Sequence, residues 1–342
     1  MEPELCIFAC QSGKSFAEKT VKELAILFEK SKRTFREGCK DCKPKLSNIT
    51  VKKFRDGEIY QRLEDNVRGK DVFIFQALQS PGNLTVNENL MELFLLNGVL
   101  KLSSAFRITN VIPYHAYARQ DRKTKGREGI SAKQIAKLIE ASGADRMLTM
   151  DLHSGQIQGF YDIPVDNLTA LPILVNRAKN INKSKNLVVV APDAGGVARA
   201  QKLSELLNAG LAIINKHRPE QNQAEVFGLV GDVKGKDILI VDDMIDTGGT
   251  LQEAVNVLRK NGCVNITAYC SHPLLSDPAA ERLSQLGIKV VGTDTVYHSE
   301  NYLKNNKWFA QLSVANIFAE AIFNIHTNRS VSRLMDELQQ MG

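Results

Sequence analysis

The chain has 342 residues, which at about 150 residues per domain makes room for roughly two domains. Apolar residues make up 43% and charged residues 24%, enough for two ordinary cores and too apolar for a disordered chain. Lysine and arginine total 44 against 38 acidic residues, leaving +6 and a pI near 8.9. That mild excess suits anionic small molecules, and with only 6% aromatics it does not point to nucleic acid.

From the N-terminus, Glu2 and Glu4 stand where a signal peptide carries Lys or Arg, and the apolar stretch Leu5–Cys10 is short of the roughly 7–15 residues of a signal core. No apolar run approaches the ~18 residues of a membrane span. The expectation is a cytoplasmic protein with no membrane partner. The cysteines, Cys6, Cys10, Cys39, Cys42, Cys263 and Cys270, are too sparse for a disulfide scaffold. Cys39-Lys-Asp-Cys42 has the spacing of half a zinc site without a second pair, so free surface thiols are expected.

Candidate strands follow at Leu5–Ala9, Asp71–Gln76, Ile108–Ile112, Met147–Met150, Leu187–Ala191, Leu211–Asn215, Asp237–Val241, Ile266–Tyr269 and Lys289–Thr293. Runs such as VFIF, VVVA and ILIV are continuous rather than alternating, as in strands buried on both faces of a parallel sheet. Between them, Asn87 precedes a helix stopped at Asn97-Gly98. Ser131-Ala-Lys-Gln134 and Thr250-Leu-Gln-Glu253 read as capping boxes, with Gly143 and Gly262 at the far helix ends. Alternating strand and helix predicts a doubly wound α/β fold. The polar segment Lys30–Asn48 reads as a surface excursion, and a domain split is placed near Asn167.

The most informative segment is Asp237–Thr250, DILIVDDMIDTGGT. A buried strand ends in Asp242 and Asp243 and runs into Thr247-Gly-Gly-Thr250 and a helix. Glycines let backbone N–H groups approach an anion, Thr hydroxyls donate, and the helix dipole adds positive potential. The carboxylates can accept sugar hydroxyls or face a metal ion. Two further strands deliver His153 (in MLTMDLHSGQIQGFYDIP) and Asp193 (in LVVVAPDAGGVAR) at their C-terminal ends, where ligands sit in open α/β sheets. A third, within VIPYHAYARQDRKTK, is followed by Arg119, Arg122, Lys123 and Lys125, which read either as a solvated loop or as a polyphosphate clamp.

Asp242–Thr250 resembles the sugar-phosphate motif of type I phosphoribosyltransferases. Ten stretches in the same order make the resemblance specific to class I ribose-phosphate diphosphokinases. They are Phe54–Glu58, Val67–Val72, Asn89–Leu93, Tyr117–Asp121, Ile130–Lys133, Met150–His153, Gln156–Phe160, Pro192–Gly196, Gly231–Val233 and Asp242–Thr250. The resemblance implies two similar α/β domains, 1–167 completed by about 322–342, and 168–321. It implies transfer of the β,γ-diphosphoryl group of ATP to the anomeric hydroxyl of ribose 5-phosphate, with Mg2+ as cofactor and Mn2+ as a substitute.

By the same likeness, Asp246, Thr247, Gly248, Gly249 and Thr250 hold the sugar 5-phosphate, and Asp242 and Asp243 the ribose hydroxyls. Arg119 and Gln120 lie along ATP. Phe54, Asp56 and Glu58 reach adenine from a neighbouring subunit. His153 and Asp193 belong to the metal–nucleotide arrangement, and Lys216 and Arg218 to a catalytic flexible loop. Arg68, Ser104, Arg127 and Ser330 match a regulatory anion site. A homo-oligomer is implied, a hexamer of dimers, with sister subunits as an alternative partner. The sequence departs from the family at Thr124, usually acidic, at Asn66, usually Ser, and at Glu128-Gly129, usually Ala-Pro. The loop Ala77–Asn87 is longer than usual. A non-catalytic regulatory subunit and a salvage phosphoribosyltransferase are the competing readings. Intact Lys216, Arg218, His153 and Asp193 speak against the first, and the Arg119-Gln120 and His153 segments against the second.

Overall fold

The computed structural model describes the chain except residues 1–2, 32–42, 80–83, 182–185, 218–225, 335 and 337–342. Cys39, Cys42 and Arg218 therefore lie outside the described residues. The chain divides into two units, the first built from Met1–Thr169, Thr295–Tyr297 and Ser313–Glu337, the second containing Ala170–Asp294 and His298–Leu312. No helix among the described residues is long and apolar enough to cross a membrane.

In the first unit the elements run β1 (Leu5–Ala9), α1 (Lys14–Ser31), β2 (Ile49–Lys53), β3 (Ile59–Leu63), β4 (Asp71–Phe75), α2 (Val86–Leu102), β5 (Arg107–Ile112), α3 (Ser131–Ala141), β6 (Arg146–Met150) and β7 (Val165–Leu168). A five-stranded sheet has the order β1-β4-β5-β6-β7, all parallel. Strand β4 is buried throughout, which is why its sequence is continuously apolar. β2 and β3 form a separate antiparallel hairpin. The excursion after α1 comes back beside β1, where Leu46 makes a parallel bridge to Ile7 and Ser47 N–H donates to Ile7 O at 2.7 Å.

Helix α2 starts one residue before Asn87, capped by Thr85. The Thr85 hydroxyl accepts from Glu88 N–H and the Glu88 carboxylate accepts from Thr85 N–H, a capping box at the end of the long Ala77–Asn87 loop. The helix also runs through Asn97-Gly98 instead of stopping there. Buried Asn97 is held by amide exchange with Asn110 and by Ser142, so tertiary partners override its preference for helix ends. At α3, Ser131 is the first helical residue and no side chain caps Ile130.

The second unit runs α4 (Leu171–Ile181), β8 (Leu187–Ala191), α5 (Val197–Leu207), β9 (Gly210–His217), β10 (Val226–Val230), β11 (Asp237–Ile245), α6 (Gly249–Lys260), β12 (Ile266–Pro273), α7 (Ala279–Gln285), β13 (Lys289–Thr293), α8 (Glu300–Asn305) and β14 (Phe309–Leu312). Its seven-stranded sheet has the order β10-β9-β8-β11-β12-β13-β14, parallel except for β10. The winding reverses between β8 and β11, and a doubly wound sheet opens a ligand crevice beyond the strand ends at such a point.

The chain then returns to the first unit at Ser313, earlier than the expected 322, as the single apolar helix α9 (Ala315–His326). It packs on α1 through edge-on ring pairs, Phe16–Phe318 and Phe28–Phe323, both with centroids 5.1 Å apart. A buried ion cluster fastens its end. Arg107 donates from Nε and Nη2 to the Asp71 carboxylate at 2.8 and 2.6 Å, and His326 Nδ1 lies 2.8 Å from Asp71 Oδ2. Arg107 also donates to Ile325 O. Burial pushes the Asp71 carboxyl up, but the bonds from His326 and Arg107 outweigh it and hold the group below the usual carboxylate range.

A carboxyl with a depressed folded-state pKa adds stability above its unfolded value, near 3.9, and loses it as pH falls through the lower folded value. Asp71→Asn is therefore expected to cost about 3 kcal/mol at pH 7, as breaking a buried pair does. Urea titrations at pH 7 and pH 3 check this: the gap between wild type and variant narrows on acidification.

Candidate active site

Strand β8 ends at the reversal point and passes straight into Asp193, whose Oδ1 accepts the N–H of Gly196 at 3.1 Å and caps the short 3-10 turn leading into α5. Its neighbour β11 carries Asp242 and Asp243, still in register with β12, Asp242 opposite Cys270. Asp242 is part-buried and Asp243 buried, and Asp243 N–H donates to Asp242 Oδ1 at 2.9 Å. Arg199, on the first turn of α5, places Nη1 3.8 Å from a carboxylate oxygen of each. Burial first, then the charge of Asp243, pushes the Asp242 carboxyl well above its ordinary range; Arg199 opposes this and Asp193 adds to it. Three carboxylates and one guanidinium are thus drawn together at one sheet edge.

Past β11, Asp246 and Thr247 lead to Gly248, which stands at φ +75°, ψ 5°, as the helix cap of α6. A Cβ there would meet Leu283 Cδ2 at 3.0 Å, so the backbone turn and the packing both require glycine. Thr250 lies one residue inside the helix, not at its cap, and the expected Thr250–Glu253 box does not form. A cap without a side chain leaves first-turn N–H groups for a ligand, and a left-handed residue followed by helical ones makes a concave nest of N–H groups that suits an anion.

In the first unit, the loops after β5 and β6 start from adjacent strands. Arg119, Gln120 and His153 are all exposed there. The two loops are braced by buried His115, whose Nδ1 bonds Ala116 O at 2.7 Å and whose Nε2 bonds the Tyr161 hydroxyl at 2.6 Å. Burial lowers the His115 pKa to about 4, which fits a neutral ring donating from Nδ1 and accepting from Tyr161. Farther along, Glu128 Oε2 accepts from Thr124 N–H, Thr124 Oγ1 and Lys125 N–H at 2.8–2.9 Å. The acid missing at 124 has a counterpart four residues on, folding the basic loop back on itself.

Phe54, Asp56 and Glu58 come together in the five-residue turn of the β2–β3 hairpin. Phe54 N–H donates to Glu58 O at 2.9 Å, and Glu58 N–H to Asp56 Oδ1 at 3.1 Å. Phe54 is 57% exposed. The hairpin is tied to α2 by Lys53–Glu88 and by Gln61 donating to Glu92 O. Of the regulatory candidates, Arg68 Nη1 donates to Ser104 Oγ at 3.2 Å; Asn66 Oδ1 accepts from Arg68 N–H. Arg127 lies in the basic loop and Ser330 beyond α9, both exposed.

Lys216 lies on β9, its backbone paired with Phe227 of β10, so the strand continues past Asn215 into the segment expected to be loop. Arg199, Arg282, His115 and Tyr161 have roles that no sequence motif signals. Arg199 closes the segment LVVVAPDAGGVAR, but its partners Asp242 and Asp243 are more than forty residues away. Among the described residues no group of three or more His, Cys, Asp or Glu is arranged to enclose a metal ion by itself.

Comparison with known proteins decides the family. The model for the N-terminal domain of ribose phosphate pyrophosphokinase matches residues 5–143, and that for the phosphoribosyl transferase domain residues 165–315. A ribose-phosphate pyrophosphokinase of Listeria ivanovii is 43% identical over 339 residues, 98% of both chains. The chain belongs to the ribose-phosphate pyrophosphokinase family. A second ribose-phosphate pyrophosphokinase, from Hyphomonas neptunium, is 46% identical over 294 residues, 85% of this chain and 93% of its own. The crystal structure of phosphoribosylpyrophosphate synthetase from Mycobacterium smegmatis matches with a TM-score of 0.84 at 37% identity, covering 95% of this chain and 99% of that one.

For this ribose-phosphate pyrophosphokinase family member, Gly248→Ala is expected to strain the turn by about 1–2 kcal/mol and to push Leu283 away. Thermal melts should show a lower Tm. They should also show that ribose 5-phosphate, the ligand expected from the sequence, no longer raises it.

Proposed function

We propose that Asp242–Thr250 holds the ribose 5-phosphate on which this enzyme acts. The activity is that of its family: the diphosphoryl group of ATP passes to the C1 hydroxyl of D-ribose 5-phosphate, giving 5-phosphoribosyl 1-pyrophosphate and AMP for nucleotide biosynthesis. The observation that carries the site assignment is the pairing of two carboxylates with a cap-free, glycine-turned helix start on one strand, at the point where the sheet reverses. Carboxylates accept sugar hydroxyls and repel phosphate, while the N–H nest does the opposite. The two halves of the motif thereby orient a sugar phosphate end to end.

The residue roles follow from charge. The C1 hydroxyl oxygen bonds to the β-phosphorus and releases its proton to solvent, the bond from that phosphorus to the oxygen bridging the α-phosphate breaks, and AMP leaves with that oxygen. Alignment and charge stabilisation contribute more here than covalent catalysis. Asp242 and Asp243 fix the ribose ring, and Arg199, within 3.8 Å of both, offsets part of their mutual repulsion. Arg119, Gln120 and His153 engage ATP, and Phe54, Asp56 and Glu58 receive adenine from an adjacent subunit of a homo-oligomer. Lys216 and Arg218 stabilise the charge that develops on the transferred group. Arg68, Ser104, Arg127 and Ser330 form a regulatory anion site.

The oxygen donors near Asp242 fit a hard divalent cation of the Mg2+ type, which takes one or two carboxylates and completes its shell with water and substrate phosphates. Asp193 is the proposed protein contact in the second unit and His153 the one in the first, and Mn2+ is a substitute. When bound, the ion neutralises the bridging phosphate oxygens. With ATP and ribose 5-phosphate as substrates, the cytoplasm is the proposed place of action.

Incubation with ribose 5-phosphate and Mg-ATP, followed by chromatography, should give AMP and phosphoribosyl pyrophosphate in equal amounts; ADP as the sole product would contradict the assignment. Lys216→Ala should lower kcat by a factor of at least about a hundred, the scale of one transition-state contact. The KM for ATP should change far less.

A further inference from the structure

We propose that Arg282, on α7, is a positioning residue for the sugar-phosphate loop, turning the Thr247–Gly248 peptide so that the Gly248 N–H faces the 5-phosphate. The inference rests on the reading of Asp246–Thr250 as the phosphate cradle. Its basis is a grip on this one peptide from a distant helix. Arg282 Nη1 donates to the Thr247 carbonyl at 2.6 Å, a short bond of the charge-assisted kind.

A trans peptide carries its C=O and N–H on opposite edges. Tying the Thr247 oxygen to α7 therefore aims the Gly248 N–H away from α7. The next side chain closes the grip. Leu283, fully buried in the core of the unit, sits where a Gly248 Cβ would meet its Cδ2 at 3.0 Å and its Cγ at 3.2 Å, with Arg282 Cδ at 3.7 Å. Gly248 takes up its +75° φ with this surface directly behind it.

The charge works in the same direction. If the Thr247–Gly248 plane flipped, a carbonyl oxygen would point into the cradle and repel the phosphate. The guanidinium satisfies that oxygen from outside the cradle, and its Nη1 also lies 3.5 Å from the position a Gly249 Cβ would take. Arg282 thus contributes to selection of a phosphorylated sugar without taking part in the transfer.

The test compares Arg282→Met, Arg282→Lys and, as a probe of the cradle itself, Thr250→Ala, in the full-length enzyme assayed for AMP. Loss of a charge-assisted bond of about 1.5–3 kcal/mol predicts that Arg282→Met raises the KM for ribose 5-phosphate by about tenfold or more. The KM for ATP should stay near wild type. Arg282→Lys keeps a donor within reach and should recover part of the loss; should the Met variant not fold, the Lys variant alone must still raise the sugar-phosphate KM selectively. An unchanged KM at 282 alongside a raised one in Thr250→Ala would refute the role of Arg282 and leave the cradle standing. Unchanged values in both would refute the cradle as well. A fall in Tm with both substrate KM values raised alike would make Arg282 a scaffold residue and overturn the inference.

Discussion

Two carboxylates placed side by side on a strand whose preceding residues are buried repel each other in a medium that screens them poorly. Asp242 and Asp243 are in that position, and the surrounding arrangement in the second unit answers their charge. Arg199 reaches both. The strand order reverses beside them, opening the sheet edge to a ligand. The chain then turns at once into glycine and a helix start that offers N–H groups instead of further negative charge. A ligand with hydroxyls at one end and a phosphate at the other resolves both ends of this field together.

The first unit meets a different constraint, that of closing a core with a helix arriving from the far end of the sequence. The Asp71–Arg107–His326 cluster joins the start of two neighbouring strands to the end of α9. That anchoring leaves the opposite, C-terminal edge of β5 and β6 free to present Arg119, Gln120 and His153. The hairpin bearing Phe54, Asp56 and Glu58 hangs from α2 by Lys53–Glu88, and Glu88 also caps that helix. One side chain thereby couples the helix start to the exposed turn.

Three strands were legible to the residue, Leu5–Ala9, Leu187–Ala191 and Lys289–Thr293, each filled by an apolar run buried over most of its length. Those with polar residues were cut short or unseen. β11 runs to Ile245 because Met244 and Ile245 keep their register with His272 and Pro273 of β12, a pairing that no local pattern in DDMI reveals. The β2–β3 hairpin and β7 were hidden for the same reason, half-exposed strands rich in Lys, Arg, Asp and Asn. Ser131 and Thr250 have the cap spacing to Gln134 and Glu253, but the cap is the residue before Ser131 and the second residue before Thr250. Site residues within motifs were readable. Arg199, Arg282 and the His115–Tyr161 brace act through contacts distant in sequence, and nothing local marks them.

The central claim, that the carboxylate pair and the adjoining loop together hold the sugar phosphate, is tested most directly by calorimetric binding. Ribose 5-phosphate would be titrated into the full-length enzyme in the presence of Mg2+ and a non-hydrolysable ATP analogue. The same titration would be made on the double variant Asp242→Asn, Asp243→Asn, which keeps shape and removes charge. Saturable binding in the wild type and its loss in the variant is the predicted result; equal affinity in both would contradict the account.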